Sequence, residues 1–379
     1  MSISGIICEY NPFHAGHWKQ IDFLRRRGDA VVCLMSGNFV QRGHPAIFDK
    51  MARARAAVDC GADLVLELPV QYALSSAEGF AFGGVEILSK LCDHLCFGAE
   101  NADCEALMEA AQALHSSKFS EKLRDFLDQG LSFPAARAEA LAQLGVDKVL
   151  VETPNNILAV EYCKAILAQN SVLTPLPIHR GGSYHDSTPD VENPSATSLR
   201  FLIQNGQKWE NFLPKHAFSI LSVAPIHTIE MGEKAILARL RTMTDAEFEA
   251  LPYGSEGLWR KLMHASRKQT TLEDIITATK SKRYTRTRID RMVMCAYLGL
   301  TAEDLRIPAP YCRVLAFNDT GRAILSKERD NGYFVNIGTD TRHPYQQIEQ
   351  RCGSLYGLFA ERPAPPDAEE NYRIYYRKR

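Results

Sequence analysis

The stretch EYNPFHAGH, Glu9–His17, follows the apolar run Ile3, Gly5, Ile6, Ile7, Cys8 and precedes a helical pattern. Two histidines around a glycine therefore stand where a strand becomes a helix. The first N–H groups of a helix lack intrahelical partners and attract anions. Gly16 adds no Cβ, so a phosphate can approach closely. His14 and His17, three residues apart, share one helical face and can together donate to one phosphate group. The arrangement suits a nucleoside triphosphate whose leaving pyrophosphate needs charge stabilisation, with no covalent nucleophile.

Outward from this point, short apolar runs alternate with helical periods. Strands are expected at Ile3–Cys8, Ala30–Met35, Leu64–Leu68 and His94–Phe97, and helices at Gly16–Arg27, Phe48–Cys60 and Ala77–Leu91. That alternation predicts a Rossmann-like α/β fold, a doubly wound parallel sheet with helices on both faces. Ligands of such sheets bind outside the carboxyl ends of the strands, which is where His14 and His17 fall. Residues 101–149 are Ala- and Leu-rich and read as a helical insertion. The pattern resumes with a helix at Pro154–Leu167, entered through Pro154, Asn155 and Asn156, and a strand at Thr174–Arg180. Ser195 or Thr197 is placed to cap a further helix.

The character changes near residue 207, so residues 1–206 are expected to form the nucleotide-binding domain. Residues 207–379 would form a smaller, largely helical, basic domain. Trp259–Leu300 holds the densest basic cluster: Lys280, Lys282, Arg283, Arg286, Arg288 and Arg291, with Tyr284 among them and Asp290 as the local counter-charge. Positive charge with an interleaved aromatic is a candidate RNA surface. Cys312–Ser326 reads as strand, turn and helix, and FVNIG (Phe334–Gly338) as a strand; the basic, aromatic tail Tyr372–Arg379 is a second RNA candidate.

The chain has 379 residues, 45% hydrophobic and 23% charged, with a formal net charge of −1. Any nucleic-acid contact must therefore come from local patches. No apolar run approaches 18 residues and the first residues carry no basic leader, so neither a membrane span nor a signal peptide is expected. The ten cysteines are scattered without a C-x-x-C pair. Cys92, Cys96 and Cys104 near His94 match no zinc spacing, which leaves reduced thiols of a cytoplasmic protein and no protein-held metal. The pattern sets no oligomeric state.

His14-Ala15-Gly16-His17 resembles the HxGH signature of the nucleotidyltransferase superfamily, whose Rossmann-like sheet carries it after the first strand. Ser195-Ala196-Thr197-Ser198-Leu199-Arg200 is loosely similar to that superfamily's second signature, an ISSTxxR-type run at a helix start. More finely, EYNPFHAGH, MSGNFVQRGHPAIFDK, GADLVLELP, FGAE, PNNILAVEY, RYTRTRIDR and RVLAFNDTGR resemble the bacterial tRNA(Met) cytidine acetate ligases along most of the chain. The resemblance implies activation of acetate with ATP to acetyl-adenylate and pyrophosphate. It also implies transfer of the acetyl group to N4 of the wobble cytidine, C34, of elongator tRNA(Met).

On that reading Ile7, Cys8, Glu9, Tyr10, Asn11, Pro12, Phe13, His14, Ala15, Gly16 and His17 form the ATP phosphate and ribose platform. His14 and His17 stabilise charge as pyrophosphate leaves. Gly98 passes close to the adenosine, Asn155 or Asn156 bonds ribose or adenine, and Arg180 contacts the nucleotide. Ser195, Thr197, Ser198 and Arg200 cradle phosphates. Lys50 and Arg53 are expected as movable cationic arms, and the loop Ser36–Pro45, with His44 at its surface, as a cover over the small carboxylate. Mg²⁺ is expected to bridge the phosphates. Two other functions fit parts of the pattern: a cofactor-making nucleotidyltransferase, which leaves the basic C-terminal third without a task, and a non-catalytic RNA-binding protein with a nucleotide fold.

Overall fold

A computed structural model describes residues 1–180, 194–328, 332–335 and 343–378. Its frame is one mixed sheet. β1 (Ile3–Cys8) pairs in parallel with β2 (Ala30–Ser36) on one side and with β6 (His94–Ala99) on the other. β2 pairs in parallel with β5 (Leu64–Leu68), and β6 with β7 (Thr174–His179). Every residue of β2 is buried, as expected of a strand flanked by neighbours and covered on both faces.

Alternate residues of the strands feed two cores. Val32, Leu34, Leu66 and Phe97 face the helices Ala77–Leu88 and Pro154–Ala168. Ile6, Val31, Cys33 and Met35 face α1 (Ala15–Arg26), α2 (Lys50–Asp59) and the helix Ala196–Gln204. This is the α/β architecture expected from the alternating pattern. Residues 101–149 fold as helices. Cys104–His115 contributes Leu107, Ala110 and Ala111 to the sheet-side core, whereas Ser117–Asp128 and Phe133–Ala142 gather around Phe119 and Leu141.

The boundary expected at residue 206 does not divide the hydrophobic core. β8 (Cys312–Asn318) returns to the sheet and pairs antiparallel with β5. β9 (Phe334–Val335) and β10 (Tyr375–Arg377) pair in parallel with β8. The open edge of β5 explains the return, because an apolar edge strand requires a partner. The rest of the expected FVNIG strand, 336–338, lies outside the described residues, as does Arg379. The tail is thus a sheet strand: Arg377 donates to Val58 O and Asp59 O at 3.1 and 2.8 Å.

Between these returns, the helices Ile229–Thr242, Leu258–Ser266, Leu272–Thr279, Arg286–Leu298 and Pro344–Tyr356 build a separate core, away from the two sheet faces, around Leu240, Leu262, Ile289 and Met292. A short hairpin, β3 (Phe39–Val40) and β4 (His44–Pro45), inserts Phe39 into that core. A buried ionic cluster fastens the two regions. Lys50 Nζ donates to both Glu67 oxygens at 2.8 Å, and Glu369 lies between Lys50 and Arg313. Beside them Glu349 accepts from Tyr311 at 2.5 Å and Tyr345 at 3.0 Å. Burial, then the nearby Glu67 charge, pushes the Glu349 carboxyl up to about 7. Among the described residues no helix is long and apolar enough to cross a membrane.

Candidate active site

The strand order places β1 between β2 and β6, with the chain leaving β1 toward α1 on one face. The crevice at the carboxyl ends of β1 and β6 is the position that suits a ligand. His14 is the N-cap of α1 in extended conformation, and its Nδ1 accepts from Gly16 N at 3.1 Å. A ring whose Nδ1 accepts carries its proton on Nε2 when neutral. His17 stacks on His14, ring centroids 3.7 Å apart at 26°. Among the described residues, His14 Nε2 and His17 Nδ1 are buried with no hydrogen-bond partner. Buried polar atoms are normally satisfied, so two orphans side by side mark a place for a ligand.

Burial, followed by the charges of Arg180 and Arg200, lowers the His14 pKa to about 3. Burial, followed by His14 and Arg180, holds His17 well below its ordinary value. Both imidazoles are therefore neutral at pH 7. They act as oriented N–H donors, and the positive charge at the site resides on the arginines.

Arg180 follows β7, and its aliphatic stem crosses Gly98, where a Cβ would stand 3.4 Å from Arg180 Cδ. Its Nη1 donates to Asn155 Oδ1 at 3.2 Å. Asn155 is turned by Glu100, which accepts from Asn155 Nδ2 at 2.7 Å, Thr153 Oγ1 at 2.9 Å and Asn156 N at 2.8 Å. Burial opposes the Glu100 charge, but these hydrogen bonds outweigh it and keep the carboxyl below its ordinary value. Glu100 thus occupies the helix entrance at Pro154, and Asn156 is fully buried, accepting from Asn101 N and donating to Val149 O. Asn156 holds the loop together rather than facing the crevice. Sequence reasoning missed Glu100; its place in FGAE, straight after β6, was the available signal.

The second motif lies against the same crevice. Ser195 caps the helix Ala196–Gln204 through Ser198 N at 3.1 Å, and Ser198 is buried, donating back to Ser195 O at 2.9 Å. Arg200 donates to Asn11 O at 2.7 Å and to Thr197 Oγ1 at 3.1 Å. This arginine therefore ties the second motif to the first.

Several expected contacts are corrected by packing. Cys8, Tyr10 and Phe13 point their side chains into the core, and Tyr10 Oη lies 3.2 Å from Cys33 Sγ. Asn11 Oδ1 is taken by Ile47 N at 2.8 Å, and Pro12 is buried. Ile7 packs against the other core, while Ala15 and Gly16 are half-buried. Of this stretch, the imidazoles, the Glu9 carboxylate and backbone groups are left for a ligand. Lys50 and Arg53 are not movable arms, because both are buried. Arg53 donates to Phe48 O at 2.8 Å, Glu9 O at 2.6 Å, Ser36 O at 3.1 Å and Gly37 O.

The loop Ser36–Pro45 is not a loose cover either. It is the β3–β4 hairpin, packed beneath the helix Arg286–Leu298. Gly43 has φ +83°, and a Cβ there would overlap the backbone of Arg291. His44 Nε2 stands 3.6 Å from Asp290.

The basic stretch is only partly available. Lys280 and Lys282 are exposed and make no ion pair among the described residues. Arg283 pairs with Glu256 at 2.9 Å, and Arg286 with Glu273 at 2.5 Å. Arg288 donates to Tyr253 O and Ser255 Oγ, and Arg291 is buried, donating to Gln41 O at 3.3 Å. Two glutamates distant in sequence therefore add to Asp290 as counter-charges.

A match to the family described as HIGH Nucleotidyl Transferase runs over residues 1–371. The tRNA(Met) cytidine acetate ligase of Clostridium novyi is 37% identical, covering 86% of this chain and 87% of its own length. That of Clostridium acetobutylicum is 35% identical over 100% of this chain and 99% of its own. The crystal structure of Thermotoga maritima TmcAL (apo, form I) superposes with a TM-score of 0.91 at 29% identity, covering 100% of both chains. The same protein bound with alpha-thio ATP gives 0.88 at 30% identity, again over 100% of both chains. With the HxGH histidines, the second motif and the sheet order all in place, the chain belongs to the HIGH nucleotidyl transferase family and, within it, to the tRNA(Met) cytidine acetate ligases.

Proposed function

We propose that this protein condenses acetate with ATP to acetyl-adenylate and pyrophosphate. It then transfers the acetyl group to N4 of the wobble cytidine, C34, of elongator tRNA(Met), giving N4-acetylcytidine. The observation that carries the ATP half is the pair of orphaned imidazole nitrogens, His14 Nε2 and His17 Nδ1, beside Arg180 and Arg200. Acetate attacks the α-phosphorus in line, and charge grows on the bridging oxygen of the departing pyrophosphate. Donors aimed there in advance stabilise it without reorganisation. Gly16 and Ala15 open the first turn of α1 to the phosphates, and Ser195, Thr197 and Arg200 supply the opposite wall. Gly98, Asn155 and Arg180 bound the nucleoside side.

Among the described residues no three His, Cys, Asp or Glu side chains converge as metal ligands. Around the crevice stand imidazoles, guanidiniums and the lone Glu9 carboxylate, a set that does not fit a resident Mg²⁺, so no step is drawn through one. The exposed Lys280 and Lys282, with Arg283, Arg286 and Arg288, are proposed as the tRNA surface. Arg291 takes part only through the packing of that helix. With tRNA as substrate, the cytoplasm is the proposed place of work. The cofactor-making reading is not favoured, because relatives covering the whole chain carry the ligase name.

The test is pyrophosphate exchange into ATP with purified protein and Mg²⁺, with and without acetate, first without and then with tRNA. Acetate-dependent exchange and N4-acetylcytidine in tRNA(Met) are expected. Exchange indifferent to acetate under both conditions overturns the reading.

A further inference from the structure

Acetyl transfer to an exocyclic amine releases a proton, and the two histidines are poor acceptors for it. His14 Nδ1 already holds the Gly16 N–H, and burial together with the neighbouring arginines keeps both rings neutral and weakly basic. The crevice holds one other titratable group on the EYNPFHAGH stretch with an open atom. We infer that Glu9 takes the N4 proton of the acceptor cytidine during acetyl transfer, a role that rests on the function proposed above.

Glu9 is the first residue beyond β1, at the edge where His14 caps α1. Its side chain is half-buried, and Oε1 accepts from Gln41 N at 2.7 Å. That is the one hydrogen bond of this carboxylate among the described residues, which leaves Oε2 open. Gln41 sits at the tip of the β3–β4 hairpin, and its carbonyl accepts from Arg291 Nη1 at 3.3 Å. Gly43 and His44 of the same hairpin lie against Asp290 and Arg291. Glu9 therefore stands on the side of the crevice that leads, through one hairpin, to the helix bearing the basic cluster. An acceptor base delivered from that surface arrives on the Glu9 side.

The charged and titratable groups around Glu9 come from four other elements. They are Arg42 of the hairpin, Arg53 of α2, Arg200 of the helix Ala196–Gln204 and the Tyr162 phenol of the helix Pro154–Ala168. Burial raises the Glu9 carboxyl above its ordinary value, against the Gln41 N–H and the three arginines. A base raised toward the working pH is the better catalyst.

The step balances without an added reagent. The N4 lone pair attacks the acetyl carbonyl carbon and forms the N–C bond. The C–O bond to the phosphate breaks, and AMP leaves with its electron pair. The N4 proton passes to Glu9 Oε2 and returns to solvent after release.

The experiment is a single-turnover quench of the full-length protein with ATP, labelled acetate and a tRNA(Met) transcript, from pH 5 to pH 8. Acetyl-adenylate and acetyl-tRNA are counted separately, so transfer is expressed per adenylate formed. Wild-type transfer should rise with pH along one acidic limb. Glu9→Gln should lower transfer per adenylate by about 10²–10⁴-fold and abolish that limb. Glu9→Asp should recover part of the rate, and azide should rescue Glu9→Ala as an external base, which a purely structural role would not allow. Wild-type transfer per adenylate in Glu9→Gln, or a loss that keeps the acidic limb, overturns the assignment alone. A wild-type protein that makes no acetyl-tRNA overturns it together with the reading beneath it.

Discussion

The imidazoles of His14 and His17 lie face to face, 3.7 Å between centroids, each with one buried ring nitrogen that meets no partner among the described residues. Two unsatisfied donors held at a helix N-terminus have a use only when an anion arrives. Replacing either histidine by alanine should lower acetate-dependent pyrophosphate exchange by about 10²–10³-fold, the usual effect of deleting one oriented donor. Exchange kinetics on folded variants, verified by circular dichroism, check this.

The same burial makes stability pH-dependent. His14 titrates at about 3 in the folded chain against 6.5 unfolded, so the unfolded state binds more protons between those values. Stability should fall as pH drops from 6.5 toward 3, by about 1.4 kcal/mol per unit from this group alone. His14→Gln should flatten that slope in urea titrations at pH 7 and pH 5.

Glu349 acts in the opposite sense. Its carboxyl stands at about 7 folded against 4.5 unfolded, so the folded state holds the extra proton in between. The stability linked to that proton is complete below pH 4.5 and is lost as pH rises through 7. Glu349→Gln keeps an acceptor for Tyr311 and Tyr345 without the charge. It should be the more stable protein at pH 8, by on the order of 2 kcal/mol, and show little difference near pH 5. Paired melts at the two pH values decide.

Arg53 holds four carbonyls, those of Glu9, Ser36 and Gly37 at the ends of β1 and β2 and that of Phe48 ahead of α2. Arg53→Ala leaves those acceptors buried without donors and should cost about 3–5 kcal/mol. Lysine should not rescue it, since one ammonium cannot reproduce the planar fork. Chemical denaturation measures the loss, and weaker ATP binding should accompany it because Glu9 is no longer anchored.

For tRNA, the exposed lysines should matter more than the paired arginines. Lys280→Ala with Lys282→Ala should weaken binding and reduce the salt slope by about 1 to 2. Arg283→Ala with Arg286→Ala should weaken it less, because Glu256 and Glu273 already hold those guanidiniums. Both double variants should keep acetate-dependent exchange. Titrations of tRNA binding at several salt concentrations, with exchange run in parallel, distinguish them.

Much of the sheet was legible because its strands are local apolar runs with helical periods between them. Ile3–Cys8 and Leu64–Leu68 were readable from their own residues, and the strand read at Thr174–Arg180 ends one residue earlier, at His179. The two motifs that border the candidate crevice were readable for the same reason, since each is a short cap at a helix start. Glu100 was not, because its meaning lies in Thr153, Asn155 and Asn156, more than 50 residues away.

By itself the sequence determined the α/β class, the strand-to-helix position of His14 and His17, and a helix start capped by Ser195 or Thr197; the fold chose Ser195. These depend on interactions within a few residues, where periodicity and capping chemistry are explicit. Tertiary structure alone decided that the histidines are neutral, that Lys50 and Arg53 are buried fasteners, and that β8 and β10 complete the sheet. Those outcomes depend on desolvation and on partners brought together from opposite ends of the chain, such as Lys50 with Glu369. A linear pattern carries neither quantity, because both are set by what the folded chain packs against each group.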